Sequence, residues 1–288
     1  MLNDVTFSVT SKRTLGLLGR NGHGKSTTMK IIMGILASDS GEVLLDGKAI
    51  SSTNFKLGYL PEERGLYQKV TILDQMIYFG KLRGLKAADA KKSATELLER
   101  LEMTEYIKKK AITLSKGNQQ KIQLAIALLN DPDIIILDEP YSGLDPVNSK
   151  LLQELIEENA KKSKLILFSS HQLGTVEEFC EDICIINHGE VLLSGNLRDI
   201  KEEYPKDKLL FVPNKDKLKE LEALLTRNSV VAKTEEDKRG YVVTLTDERK
   251  KNALLEVVAN GNIDLQSFAV LEPTLLEIFL EKIGEVSL

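Results

Sequence analysis

No stretch of the 288-residue chain approaches the roughly 18 consecutive apolar residues of a membrane-spanning helix, and the N-terminus has no charged-then-apolar leader pattern. A soluble, intracellular chain is the expectation. Cysteine is scarce: Cys180 and Cys184 are the whole complement, too few for a disulfide framework and without the second Cys or His pair that a zinc site needs. They read as small core residues. Basic charge is not in excess either, with 39 Lys and Arg against 43 Asp and Glu for a net charge of −4. That balance argues against a broad electrostatic grip on nucleic acid, and there is no polybasic patch for a membrane surface.

What the chain does have is enough apolar residue, 42%, for one substantial core and a second small one. Val5, Phe7 and Val9 alternate with polar residues as a first strand would, and Leu15 to Gly19 runs as a second into a glycine-rich turn. A helix is expected from Gly24 to about Leu36, then strands at Gly41–Gly47 and Leu57–Leu60. From about 71 to 116 the periodicity becomes helical, a helical insertion within an α/β chain. Apolar runs at Asp133–Asp138 and Lys164–Ser170, with a helix around Leu151–Ala160 between them, predict a mostly parallel sheet covered on both faces. A hairpin turning at His188-Gly189 closes this domain near residue 200. Lys201–Lys208 reads as a linker, and 201–288 as an α+β accessory domain in the order β-α-β-β-α-β plus a last helix, the ferredoxin-like pattern. That segment holds 14 Lys and Arg against 17 Asp and Glu, so it too is a poor candidate for nucleic-acid binding.

The run GRNGHGKS, Gly19 to Ser26, fits G-x-x-x-x-G-K-[ST] between a strand and a helix. Glycines let backbone N–H groups converge on phosphate oxygens, the helix N-terminus adds positive potential, Lys25 supplies charge for the β- and γ-phosphates, and Ser26 is placed to ligate Mg²⁺. The bland alternative is a glycine-rich turn capping a helix. The pattern alone does not separate a kinase, a GTPase and a transport ATPase. At the end of the apolar run, Asp138 is positioned to hold Mg²⁺ through water and Glu139 to polarise an attacking water. Ser142–Pro146 reads as a turn opening the next helix, and His171 stands just past a strand, where a lone histidine is more often structural but an imidazole could reach a γ-phosphate.

These segments, with LSKGNQQ from Leu114, occur in the order found in the nucleotide-binding subunits of ATP-binding cassette (ABC) transporters, which residues 1–200 resemble. The C-terminal LEPTLLEIFLEKIGE resembles the subgroup similar to sodium and drug exporters. The resemblance implies a P-loop NTPase core, ATP as substrate with Mg²⁺, and an ATP-binding run of Gly19, Arg20, Asn21, Gly22, His23, Gly24, Lys25, Ser26 and Thr27. It implies Glu139 and His171 as catalytic, Asp145 as the D-loop residue, and Glu62 beside Ser26 and Asp138 at the metal. Ser115, Lys116, Gly117 and Asn118 would be the signature that meets ATP held by another subunit, in a head-to-tail homodimer or heterodimer. The partners implied are that second ATPase subunit and a separate transmembrane permease, at the inner face of the membrane.

Three departures accompany the resemblance. Lys116 and Asn118 stand where the family has Gly and Gln. Glu62 replaces a coupling glutamine, bringing negative charge and losing a donor. No strand with an adenine-stacking aromatic precedes Val5, so either the chain is truncated or base stacking is lost, lowering nucleotide affinity and exposing a sheet edge. The leading expectation is an ATPase subunit powering export. The alternatives are a non-transport cassette ATPase acting on DNA or ribosomes, disfavoured by the acidic balance, and a weakly active nucleotide-binding regulator. A phosphotransferase would leave the signature unexplained.

Overall fold

The computed structural model describes residues 1–286 apart from Arg64, Lys215, Asp216 and Asn262. Two compact units emerge, Met1–Leu197 and Arg198–Leu288. In the first, chain order is β1 (Thr14–Leu18), α1 (Lys25–Ile32), β2 (Leu44–Leu45), β3 (Lys48–Ala49), β4 (Leu57–Leu60), α2 (Ile72–Leu82) and α3 (Ala87–Arg100). Then follow α4 (Lys116–Leu128), β5 (Ile134–Asp138), α5 (Pro146–Lys161), β6 (Leu165–Ser170), α6 (Leu173–Phe179), β7 (Asp182–Asn187) and β8 (Glu190–Asn196).

The main sheet runs β4-β5-β6-β1-β7-β8. Its first five strands are parallel and only β8 is antiparallel, as a hairpin partner of β7. Burial on both faces explains why β1 and β5 are continuous apolar runs rather than alternating ones. Ile134 and Ile136 join Leu15, Leu17, Met29 and Cys184 in one core, while Ile135 and Leu137 share a tight apolar layer with Leu124 of α4 and Leu155 of α5. Each such fully buried side chain contributes about 1.5–3 kcal/mol of transfer free energy. Both cysteines are buried, as expected for core residues, and burial pushes the Cys184 thiol up to about 12.

Local sequence sets the helix ends. Thr71 caps α2 by accepting the Asp74 N–H, and Gly80 lets α2 and α3 approach, since a Cβ there would meet Ala90 Cβ at 2.7 Å. The expected first strand is not formed. Val5, Phe7 and Val9 are half-buried against the core while Asp4, Thr6 and Ser8 are exposed, so the alternation is real, but no ladder partner lies beside it among the described residues. Helix α1 ends at Ile32 because Gly34 (φ 70°) turns the chain. The strand expected at Gly41–Gly47 shrinks to the two residues of β2, which turn back on β3.

The second unit begins within α7 (Leu197–Glu202) and continues β9 (Lys208–Pro213), α8 (Leu218–Arg227), β10 (Val231–Asp237), β11 (Gly240–Leu245), α9 (Lys251–Asn260), β12 (Leu265–Leu271) and α10 (Leu275–Val286). Its antiparallel sheet is ordered β10-β11-β9-β12, the arrangement of the ferredoxin-like pattern. Leu221 and Leu225 of α8 and Leu254 and Val258 of α9 cover the face carrying Leu209, Phe211, Tyr241 and Val243. The expected linker Lys201–Lys208 starts as the last turn of α7, because Leu197 and Ile200 are buried.

Candidate nucleotide site

The loop between β1 and α1 is built on glycine. Gly19 (φ 155°) passes so close to β7 that a Cβ would lie 2.4 Å from the Ile186 carbonyl oxygen. Gly24 (φ 115°) caps α1 in a left-handed conformation, with Leu2 against it, where a Cβ would come within 2.5 Å. Both positions therefore need glycine. Lys25 is buried, and its ammonium donates to the Gly19 carbonyl at 2.7 Å and to the Arg20 carbonyl at 3.3 Å. Arg20, Asn21 and Thr27 are exposed, and Ser26 is half-buried at the first turn of α1. His23 stacks on His188 with ring centroids 4.3 Å apart; burial, then the neighbouring imidazole, holds its pKa below the ordinary histidine value.

Two strands deliver the carboxylates. Register places Asp138 of β5 opposite Ser169 of β6, and the Ser169 hydroxyl donates to Asp138 Oδ1 at 2.5 Å while accepting the Glu139 N–H at 3.0 Å. Glu139 follows in the left-handed region (φ 50°), a conformation that costs a non-glycine residue about 1–3 kcal/mol. That turn takes its side chain off the strand line toward the loop. Glu139 Oε1 lies 4.0 Å from Lys25 Nζ and 2.8 Å from His171 Nδ1. Burial raises the Glu139 pKa, opposed by His171 and Lys25. Ser169 was not singled out from the sequence; nothing in FSSHQ distinguishes it from Ser170, and only the β5–β6 register brings it to the carboxylates.

Ser115 is the N-cap of α4 and accepts the Asn118 N–H at 3.2 Å. Ser115 and Lys116 are exposed, Gly117 and Asn118 half-buried. Further along α4 two buried glutamines tie the helix to the carboxylate region: Gln120 Nε2 donates to the Pro140 carbonyl at 3.1 Å and Gln123 Nε2 to the Glu63 carbonyl at 3.2 Å. Asp145 caps α5, accepting the Asn148 N–H at 3.0 Å, which matches the plain reading of that turn as a helix start. Glu62 is exposed just beyond β4. Thus Lys25, Asp138, Glu139 and His171 come together at the carboxyl ends of β1, β5 and β6. Among the described residues, no side-chain hydrogen bond or ion pair joins Ser115, Lys116 or Asp145 to them.

Hard oxygen donors from one hydroxyl and one carboxylate are what Mg²⁺ takes from a protein when phosphates and water complete its shell. Ser26 and Asp138 fit that requirement. A glycine loop, a buried lysine and a carboxylate pair at the carboxyl edge of a parallel sheet define a P-loop nucleotide hydrolase. The ABC transporter family model matches residues 2–142, and a model for the C-terminal domain of DrrA1-3-like ATP-binding proteins matches residues 195–283. An ABC transporter ATP-binding protein of Alkalihalophilus pseudofirmus is 40% identical over 93% of this chain and 98% of its own. The linearmycin resistance ATP-binding protein LnrL of Bacillus subtilis is 31% identical over 99% and 94%. Among solved structures, an ATP-binding subunit of an ABC transporter superposes with TM-score 0.64 at 32% identity, covering 70% of this chain and 86% of that one. A dimeric, post-hydrolysis cassette, MJ0796 bound to ADP and Pi, gives 0.60 at 26%, covering 68% and 90%. The chain belongs to the ATP-binding, ATP-hydrolysing subunits of ABC transporters.

Proposed function

We propose that this subunit binds MgATP on its own phosphate loop, presents the start of α4 to ATP held by a second ATPase subunit, and uses closure and release of that pair to drive export through a separate membrane-spanning permease. The observation that carries the reading is the convergence of Lys25, Glu139 and His171 within 4.0 Å of one carboxylate oxygen. Lys25 and the loop amides hold the β- and γ-phosphates. Ser26 and Asp138, with Glu62, would hold Mg²⁺, which would offset the negative charge of those phosphates. Glu139, its pKa raised by burial, is the base that orients water, and His171 is the group that senses the γ-phosphate. Ser115, the Gly117 amide and the α4 N-terminus complete the partner's site, with Asp145 shaping the turn beside it.

Two findings support export and pairing: the resistance-type relative covered end to end and the dimeric state of the superposed cassette. No helix among the described residues is long and apolar enough to cross a membrane, which fits a separate permease met at the cytoplasmic face. Glu139→Gln is expected to retain ATP binding, lower turnover by at least about 10³-fold and accumulate an ATP-bound dimer in sedimentation. Unchanged hydrolysis in that variant overturns the role of Glu139. Lys25→Ala is expected to lose nucleotide binding in a fluorescent-ATP titration.

A further inference from the structure

Two charges of opposite sign stand unpaired at the edges of the proposed site. Lys116 is the first residue of α4, and the first turn of that helix contains no acidic residue. Its ammonium therefore sits against the positive end of the helix dipole, a place that favours anions. Glu62 lies just past β4 on the same sheet edge as Asp138, close enough that both carboxylates push the Tyr59 phenol up after burial does. Both residues are exposed, and neither has an ion-pair or side-chain hydrogen-bond partner among the described residues. With Asp138 and Glu139, Glu62 is a third carboxylate at the carboxyl ends of the neighbouring strands β4 and β5.

Within one chain, among the described residues, no ion pair joins the two charges. Gln123 Nε2 pins the backbone at Glu63 to α4, two helical turns, about 10 Å, from Lys116. In a head-to-tail pair the geometry is different: Glu62 belongs to the rim around its own phosphate loop, and Lys116 arrives from the other copy on the α4 start. We propose that Glu62 of one copy and Lys116 of a second copy of this chain form an ion pair at the γ-phosphate edge of each composite site. Lys116 is then a positioning residue: it offsets the extra carboxylate and supplies the hydrogen-bond donors a carboxylate lacks. The pair also selects the partner, since a second subunit without a cation at this position leaves Glu62 facing phosphate uncompensated. This inference rests on the reading that two subunits sandwich the nucleotide.

The test uses the full chain in the Glu139→Gln background and measures the ATP-dependent dimer by sedimentation. K116E and E62K alone are each expected to weaken dimerisation at least about tenfold, and the combined swap E62K/K116E to recover to within about threefold of the parent. Because E62K places a cation beside its own phosphate loop, a neutral cycle of E62Q, K116Q and the double variant runs in parallel, with non-additivity of at least about fivefold expected. Thermal melting, unchanged across the set, shows that folding is not the cause, and ATP affinity of each monomer is measured so that dimerisation is compared at equal nucleotide occupancy. Additive effects in the neutral cycle, or a swap no better than its worse single variant, overturn the pair. A parent that stays monomeric with ATP overturns the sandwich reading itself, and the pair with it.

Discussion

Ser169 serves two carboxylates with one hydroxyl. It donates to Asp138 and accepts the Glu139 N–H, so it sets the spacing between the two carboxylates. Ser169→Ala leaves a buried N–H and a buried carboxylate oxygen short of a partner, costing about 1–3 kcal/mol. In steady-state kinetics kcat is expected to fall about tenfold or more while nucleotide affinity changes little, because the phosphate loop is untouched. A different residue-scale device lies far from the nucleotide. Lys164 is buried, donates to the Pro132 carbonyl at 2.8 Å and pairs with Asp131. That hydrogen bond holds the Asp131 carboxyl below its ordinary pKa. The folded state thus prefers the carboxylate: the stabilisation is present at neutral pH and is lost as pH falls through the depressed value. Asp131 is largely exposed, so solvent screening keeps the contribution below about 1 kcal/mol. Urea unfolding of Asp131→Asn is expected to show that deficit at pH 7 and a shrinking one as pH falls below the ordinary aspartate range.

At the scale of elements, the site depends on how closely β4, β5 and α4 approach. Gly58 of β4 faces α4 with no room for a side chain, a Cβ there falling 2.5 Å from the Ala127 carbonyl oxygen. Gly58→Val is expected to lower stability by about 1–3 kcal/mol, visible as a lower melting temperature, and to displace the Glu62-Glu63 segment that Gln123 holds. The phosphate loop, β4, β5, β6, the hairpin and the two helices of the insertion were legible from glycine turns, from short continuous apolar runs, or, in the helices, from the 3.6-residue period. Helix α6 and the helical start of the linker were not. Each is a single short amphipathic stretch, seven and six residues long, too brief for periodicity to separate it from a loop. The strand expected at Val5–Val9 failed for the complementary reason. Alternation reports which side faces a core, and the side chains obey it, but a strand also needs a ladder partner that no local pattern supplies.

For the whole molecule, the two units have separate cores. The C-terminal one surrounds Phe211 and Val243, both fully buried, and its four strands pair only with one another. Residues 198–288 expressed alone are expected to unfold cooperatively in a melting experiment, as an autonomous domain does; a non-cooperative profile would show that the first unit is required. The groups of the proposed site were legible in residue types and spacing: loop amides from GRNGHGKS, a cation from Lys25, paired acids from Asp138 and Glu139, and an imidazole from His171. Local motifs carry that information because a strand-turn-helix of given composition presents the same groups wherever it occurs. Only the tertiary structure decided that Lys25 and His171 reach the same oxygen of Glu139, that Ser169 bridges the two acids, and that Glu62 and Lys116 of one chain do not pair with each other. Those relations depend on strand order and register across segments distant in sequence, which packing of the whole sheet settles and no single segment encodes.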